Sequence, residues 1–169
     1  MFQIGDYIMY GKMGVCQILG IDKGVLFDGV KMDYYVLQPV YKNNSSIIKA
    51  PVGSPKIHMR KLVSRQEVYS YIDAMPDMES AWIVDDKARF QQFNTILSTG
   101  NCGDWIDLIR AVYFKKRDRK TGDKSISPRD LEISKEAKRL LHEEFSIPLA
   151  ITPEEVEEFI ASKVGDRES

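Results

Sequence analysis

Up to residue 63 the apolar positions of this chain alternate along short runs, and beyond it they return at every third or fourth place. The first pattern belongs to strands and the second to helices. At the start, Tyr7-Ile8-Met9-Tyr10 and Val15-Cys16-Gln17-Ile18 flank a turn holding Gly11 and Gly14, and Gly5-Asp6 opens the first run. This predicts a β-hairpin entering a small barrel. Residues 15–21 alternate loosely, residues 25–30 surround a turn at Asp28-Gly29, and Tyr34-Tyr35-Val36-Leu37 is a buried-strand run closed by Pro39. Residues 47–52 read as another short strand after the polar turn Asn43-Asn44-Ser45-Ser46, and Met59-Arg60-Lys61-Leu62-Val63 adds a final one. Five short strands with no helical period among them fit a small, strongly bent barrel.

From Ser64 the text is helical. Ser64-Arg65-Gln66-Glu67 is a capping box leading into Val68, Tyr71, Ile72 and Met75, until Pro76 stops the turn. A long helix is expected from about Glu79 to Leu97, with Gly100 as its C-terminal glycine. Asp104 caps the next, whose Trp105, Leu108, Ile109, Val112 and Tyr113 recur at helical spacing. Ser127-Pro128 starts another, carrying Leu131, Ala137, Leu140, Leu141 and Phe145. Thr152-Pro153-Glu154-Glu155 opens the last, before Val156, Phe159 and Ile160. The expected class is α+β, strands then helices: a β-barrel domain over residues 1–63 and an all-helical domain over residues 64–169.

Composition adds little until it is divided along the chain. The 169 residues are 43% apolar and 29% charged, as in soluble globular proteins, and no apolar run approaches the ~20 residues of a membrane helix. No basic region leads into a long apolar core, so a secretory signal is not expected. Cys16 and Cys102 then read as reduced thiols, and the expected compartment is the cytoplasm. The net charge of −1 conceals blocks: +4 over residues 1–63, −4 over 64–104, +5 over 105–139 and −6 over 140–169. Such segregation points to a polyanion partner on one face.

Candidate chemistry is sparse. His58 and His142 lie far apart without acidic or cysteine partners at ligand spacing, so no metal site is expected. Cys16, beside Val15 and Ile18, reads as a small buried hydrophobe rather than a nucleophile. Gly11-Lys12-Met13-Gly14 leads to a strand rather than a helix, unlike a phosphate loop. Asp85 and Asp86 are adjacent on a helix, hence about 100° apart, and no third group supports acid–base work. No catalytic residue, cofactor or small-molecule substrate is expected, and the chain reads as a non-enzyme.

The basic block carries more. Arg110, Lys115, Lys116, Arg117, Arg119, Lys120 and Lys124 crowd one helix end and the loop after it, and Arg129, Lys135, Lys138 and Arg139 continue on the next helix. Cations at a helix C-terminus also complement its dipole and stay solvated. Supplied by two neighbouring helices, they could instead form one phosphate-binding strip, which would position nucleic acid without reading its sequence. Lys87 and Arg89 join this candidate DNA surface from the preceding helix. Trp82 has two readings: a seal between helices, or an apolar wedge against a base step.

Taken in order, these pieces resemble the CarD/CdnL family of bacterial transcription regulators. The shared text is Phe2, Gly5-Asp6, Tyr10 and Gly14, then Tyr34-Tyr35-Val36-Leu37 and Ile48-Lys49-Ala50-Pro51-Val52. In the helical half it is Thr99-Gly100-Asn101, Leu108-Ile109-Arg110-Ala111-Val112, Ser127-Pro128 and Ala137-Lys138-Arg139-Leu140-Leu141. The resemblance implies a Tudor-like barrel that binds the RNA polymerase β-subunit lobe, and a helical domain at the upstream edge of the promoter bubble. It gives Lys49 the polymerase-contacting role, with Ile48 and Pro51 shaping a strand edge suited to strand addition. A lysine there also guards an edge strand against aggregation. The family's wedge tryptophan stands about one helical turn nearer the Thr99-Gly100-Asn101 turn than Trp82 does, where Asp86 stands here. The implied protein modulates open-complex stability, is cytoplasmic and reaches the nucleoid through polymerase. The alternative is a KOW or SH3-like adaptor that binds RNA or protein without touching DNA.

Overall fold

In this computed structural model, residues 1–42, 46–118 and 126–168 are described, with side chains up to Gly165. The polar turn expected at Asn43-Asn44-Ser45 lies outside the described residues. The chain divides into two compact units, Met1–Leu62 and Val63–Ser169.

The first unit is an antiparallel sheet of five strands in the order β4-β3-β2-β1-β5. They are β1 (Tyr7–Tyr10), β2 (Gly14–Phe27), β3 (Val30–Pro39), β4 (Ile48–Pro51) and β5 (Met59–Lys61). The opening hairpin pairs Ile8 with Cys16 and Met9 with Val15, and a 3-10 turn over Gly11–Met13 joins its strands. Two strands are longer than the sequence pattern indicates: β2 has 14 residues and β3 has 10. Register shifts between Ile18 and Gly20 and between Asp22 and Val25 carry β2 through positions that read as breaks. A bulge keeps the ladder running while bending the strand. Ile8, Tyr10, Cys16, Ile18, Tyr35, Leu37 and Ala50 meet in the core, with Phe2, Met13, Ile48, Val52 and Met59 packed around them. Phe2 lies edge-on to Tyr35, ring centroids 5.9 Å apart.

The second unit holds α1 (Arg65–Ala74), α2 (Asp86–Thr99), α3 (Cys102–Asp118), α4 (Pro128–Leu149) and α5 (Pro153–Glu168). Ser64 and Glu67 form the expected capping box, each side chain bonding the other's backbone N–H. Helix α4 packs against each of the other four. Its Ala137, Leu140, Leu141 and Phe145 are buried, as are Val68 and Ile72 of α1, Trp105 and Leu108 of α3 and Val156 of α5. The fully buried Glu144 accepts hydrogen bonds from the Val63 N–H and the Cys102 thiol, each at 3.0 Å.

Two helix starts differ from expectation. Helix α2 begins at Asp86, not near Glu79, and residues 78–85 carry no helix. Its N-cap is Asp85, whose carboxylate accepts the Ala88 N–H at 2.8 Å. Helix α3 is capped by Asn101, and Asp104 is its reciprocal partner: Asn101 Oδ1 accepts from Asp104 N at 3.0 Å and Asp104 Oδ2 from Asn101 N at 3.3 Å. Gly100 ends α2 without left-handed backbone, at φ −71°. Glycine is needed there for a different reason: a Cβ would run into the Ile96 carbonyl oxygen, which already accepts from Gly100 N and Trp105 Nε1.

Candidate functional site

Strand β4 lies at one end of the sheet and, among the described residues, pairs only with β3: Leu37 faces Ile48, Val36 faces Lys49, Tyr35 faces Ala50 and Tyr34 faces Pro51. Alternation turns Ile48 and Ala50 toward the core and Lys49 and Pro51 to the other face. Lys49 reaches across β3 to Asp22 of β2, Nζ to Oδ2 2.8 Å. Both side chains are well exposed, so the pair is worth little in water and opens readily to a partner. Apolar spacing carries no sign of Asp22, because a bulge sets its register. The strand thus offers one row of backbone groups, a cation and two apolar flanks.

In the helical unit the candidate cations separate into three sets. Arg89 is a correction: it is 5% exposed and serves as a structural tie rather than a surface cation. Its Nε and Nη2 hold both carboxylate oxygens of Asp130 at 3.0 and 2.9 Å, its Nη1 donates to the Ile83 carbonyl at 3.0 Å, and Nη2 also meets Asp86 at 2.8 Å. Hydrogen bonding to Asp130 raises its already high pKa, against the cost of burial and with help from Asp86. Trp82 is half-buried on this tie: the Arg89 guanidinium lies 4.5 Å from its ring centroid and Phe93 meets it edge-on at 6.2 Å. Lys115 Nζ stands 5.9 Å from the same ring. Arg110 is partly committed as well, donating to the Met78 carbonyl at 3.0 Å and lying over the Phe114 ring.

The second set converges. Arg110 and Lys116 of α3 and Lys135 and Lys138 of α4 line a groove of about 360 Å³ floored by Ile109, Val112, Tyr113 and Leu131. Lys116, Lys135 and Lys138 are exposed, and Lys138 makes a long contact to Glu157, at 3.9 Å. Arg139 is excluded from the groove by Glu136 and Glu143, which hold its guanidinium. The third set is scattered: Lys87 and Arg117 are exposed on α2 and at the end of α3, and Arg129 lies over Phe90, 4.2 Å from the ring. Arg119, Lys120 and Lys124 lie outside the described residues.

Next to the groove, His142 lines a smaller apolar cavity with Ile106, Ile109, Leu141 and Ile160. Burial lowers its pKa, Glu157 draws it up and Lys138 pushes it down. Among the described residues no group of three or more His, Cys, Asp or Glu is placed to hold a metal ion, and no helix is long and apolar enough to cross a membrane.

Residues 2–63 match the model of the CarD-like/TRCF RID domain. Over these residues the chain is similar to a CarD-like RID domain. The match covers the five-stranded unit, including β4 and its Lys49. RID domains of this family are non-catalytic interaction modules, and the match supports an RNA polymerase-interacting, transcription-related protein. No curated protein matches the chain.

Proposed function

We propose that this protein docks on the β-subunit lobe of RNA polymerase through β4 of its RID domain and lays the α3–α4 groove on promoter DNA near the melted region. The RID match over a unit whose β4 is an edge strand carries the reading. An extended segment of the lobe adds to that edge by backbone hydrogen bonds, while Lys49 exchanges Asp22 for an acidic partner. Ile48 keeps the strand anchored in the core, and Pro51 ends the row of donors. The four groove cations bind phosphates without reading bases, and Lys87, Lys115 and Arg117 extend the positive field around them. Trp82 supports this surface from behind by covering the Arg89–Asp130 pair. Binding the open complex better than the closed one shifts initiation by population, with no chemistry of its own. The protein acts where polymerase acts, in the cytoplasm on the nucleoid.

The test is Lys49→Glu in the full chain. Affinity for purified polymerase is expected to fall at least roughly tenfold with an unchanged circular dichroism spectrum. Wild-type affinity in the variant overturns the assignment of β4.

A further inference from the structure

The β2–β3 hairpin runs past the core and ends in a two-residue turn at Asp28-Gly29. Both turn residues have positive φ, 51° and 79°, as the tight hairpin turn that matches strand twist requires. Its tip is apolar: Phe27 is 69% exposed, Val30 57% and Leu26 67%. Solvated turns are ordinarily polar, so apolar side chains gathered at a hairpin tip mark a contact surface.

The ladder says which of them belong together. Phe27 faces Val30 and Val25 faces Met32, while Leu26 faces Lys31 on the opposite side. Along β3 the ladder is regular, so Val30 and Met32 share a face with Tyr34 and Val36, opposite the core residues Tyr35 and Leu37. Tyr34 and Val36 are the partners of Pro51 and Lys49 in β4. One apolar stripe therefore runs from the hairpin tip to the candidate docking edge.

We propose that this stripe is a second polymerase contact, with Phe27 and Val30 as its apolar anchors. The inference rests on the reading that β4 docks polymerase, and continuity with that edge selects the occupant. Charge agrees: Lys23 and Lys31 stand among Asp22, Asp28 and Asp33, so the hairpin offers no positive field for a polyanion and suits a protein surface. Strand addition at β4 fixes orientation, and the hairpin tip supplies the desolvated aromatic anchor that a short strand lacks.

The experiment measures affinity of the full chain for purified RNA polymerase in four variants beside wild type. Phe27→Ser with Val30→Ser is expected to weaken binding at least roughly tenfold, as truncating an interface anchor does. Leu26→Ser removes similar exposed apolar area from the other side and is expected to bind as wild type. Lys49→Glu reports on β4 independently, and Val30→Thr, which keeps the β-branched shape, carries the test if the double variant melts early. Reduced binding with Lys49→Glu but wild-type binding by the double variant overturns the stripe and leaves the β4 reading intact. An equal reduction with Leu26→Ser also overturns it, because the effect then lacks a face. A wild-type chain that does not bind polymerase overturns both. A wild-type dimer in sedimentation that the double variant dissociates, with polymerase affinity unchanged, assigns the stripe to a second copy and overturns the proposal.

Discussion

Beneath the Trp82 indole, Arg89 spends all three guanidinium nitrogens on Asp130, Asp86 and the Ile83 carbonyl, so its worth lies in what its removal leaves behind. Asp130 is 2% exposed and also receives the Ser127 hydroxyl; among the described residues, Arg89 is the cation paired with it. Arg89→Met strands that carboxylate, and a buried pair broken on one side costs about 3–5 kcal/mol. The cost is read in urea unfolding, where Arg89→Met with Asp130→Leu is expected to recover most of it because neither charge remains buried. An Arg89→Met chain as stable as wild type sinks the structural assignment. The pair is illegible in the sequence for a physical reason. The partners stand 41 residues apart, and no periodicity carries the coupling of two charges on different helices. Arg89 and Lys87 are alike as cations near Trp82, and only burial separates them. The capping residues show the opposite case. Ser64 and Glu67 are readable because the box is local, whereas Asp85 passes for half of a carboxylate pair with Asp86 when its side chain caps α2.

At the scale of elements, what is legible follows the hydrophobic period. The strands, the α+β order and the helices after Ser64 come from apolar spacing, which is the force that sorts faces. What is not legible follows exceptions to it: β2 continues across its glycines because bulges absorb the extra residues, and α2 starts late because residues 78–85 are held by side chains from elsewhere. Arg110 donates to Met78, Arg89 to Ile83, and the Trp82 ring lies against both Arg89 and Phe93. Those bonds replace the helical ones that helix-forming residues alone would make. The cationic groove is an element-scale product as well, since Lys116 comes from α3 and Lys135 and Lys138 from α4. Changing all three to alanine is expected to weaken binding to duplex DNA and to flatten its log–log salt slope by about 2–3, at ~0.9 for each phosphate no longer neutralised. Melting temperature should hold, because exposed lysines away from the core contribute little to stability. An unchanged slope removes the groove from the DNA surface.

For the whole molecule, the decisive property is that two surfaces sit on one chain. The sheet unit and the helical unit each bury their own core, so a surface variant in one is expected to leave the other folded, as circular dichroism checks. On the proposed function neither surface alone favours the open complex: a β4 contact would hold polymerase in either state, and phosphate contacts would hold DNA whether or not it is melted. Selectivity would then need both engaged at once: a docked β4 would present the groove at an effective concentration in the millimolar range for a short connection, to whichever promoter state places phosphates within its reach. A tenfold preference for the open complex corresponds to about 1.4 kcal/mol, and it requires that the docked groove meet phosphates in the open complex that it does not reach in the closed one. The consequence is a test in trans. Wild-type protein is expected to lengthen the lifetime of a promoter open complex, while Lys49→Glu and the triple alanine variant each fail. Mixed together, the two variants should still fail, although between them they provide one intact copy of each surface. Restoration by the mixture shows that the surfaces act independently, and the tethered mechanism then falls even if both contacts stand.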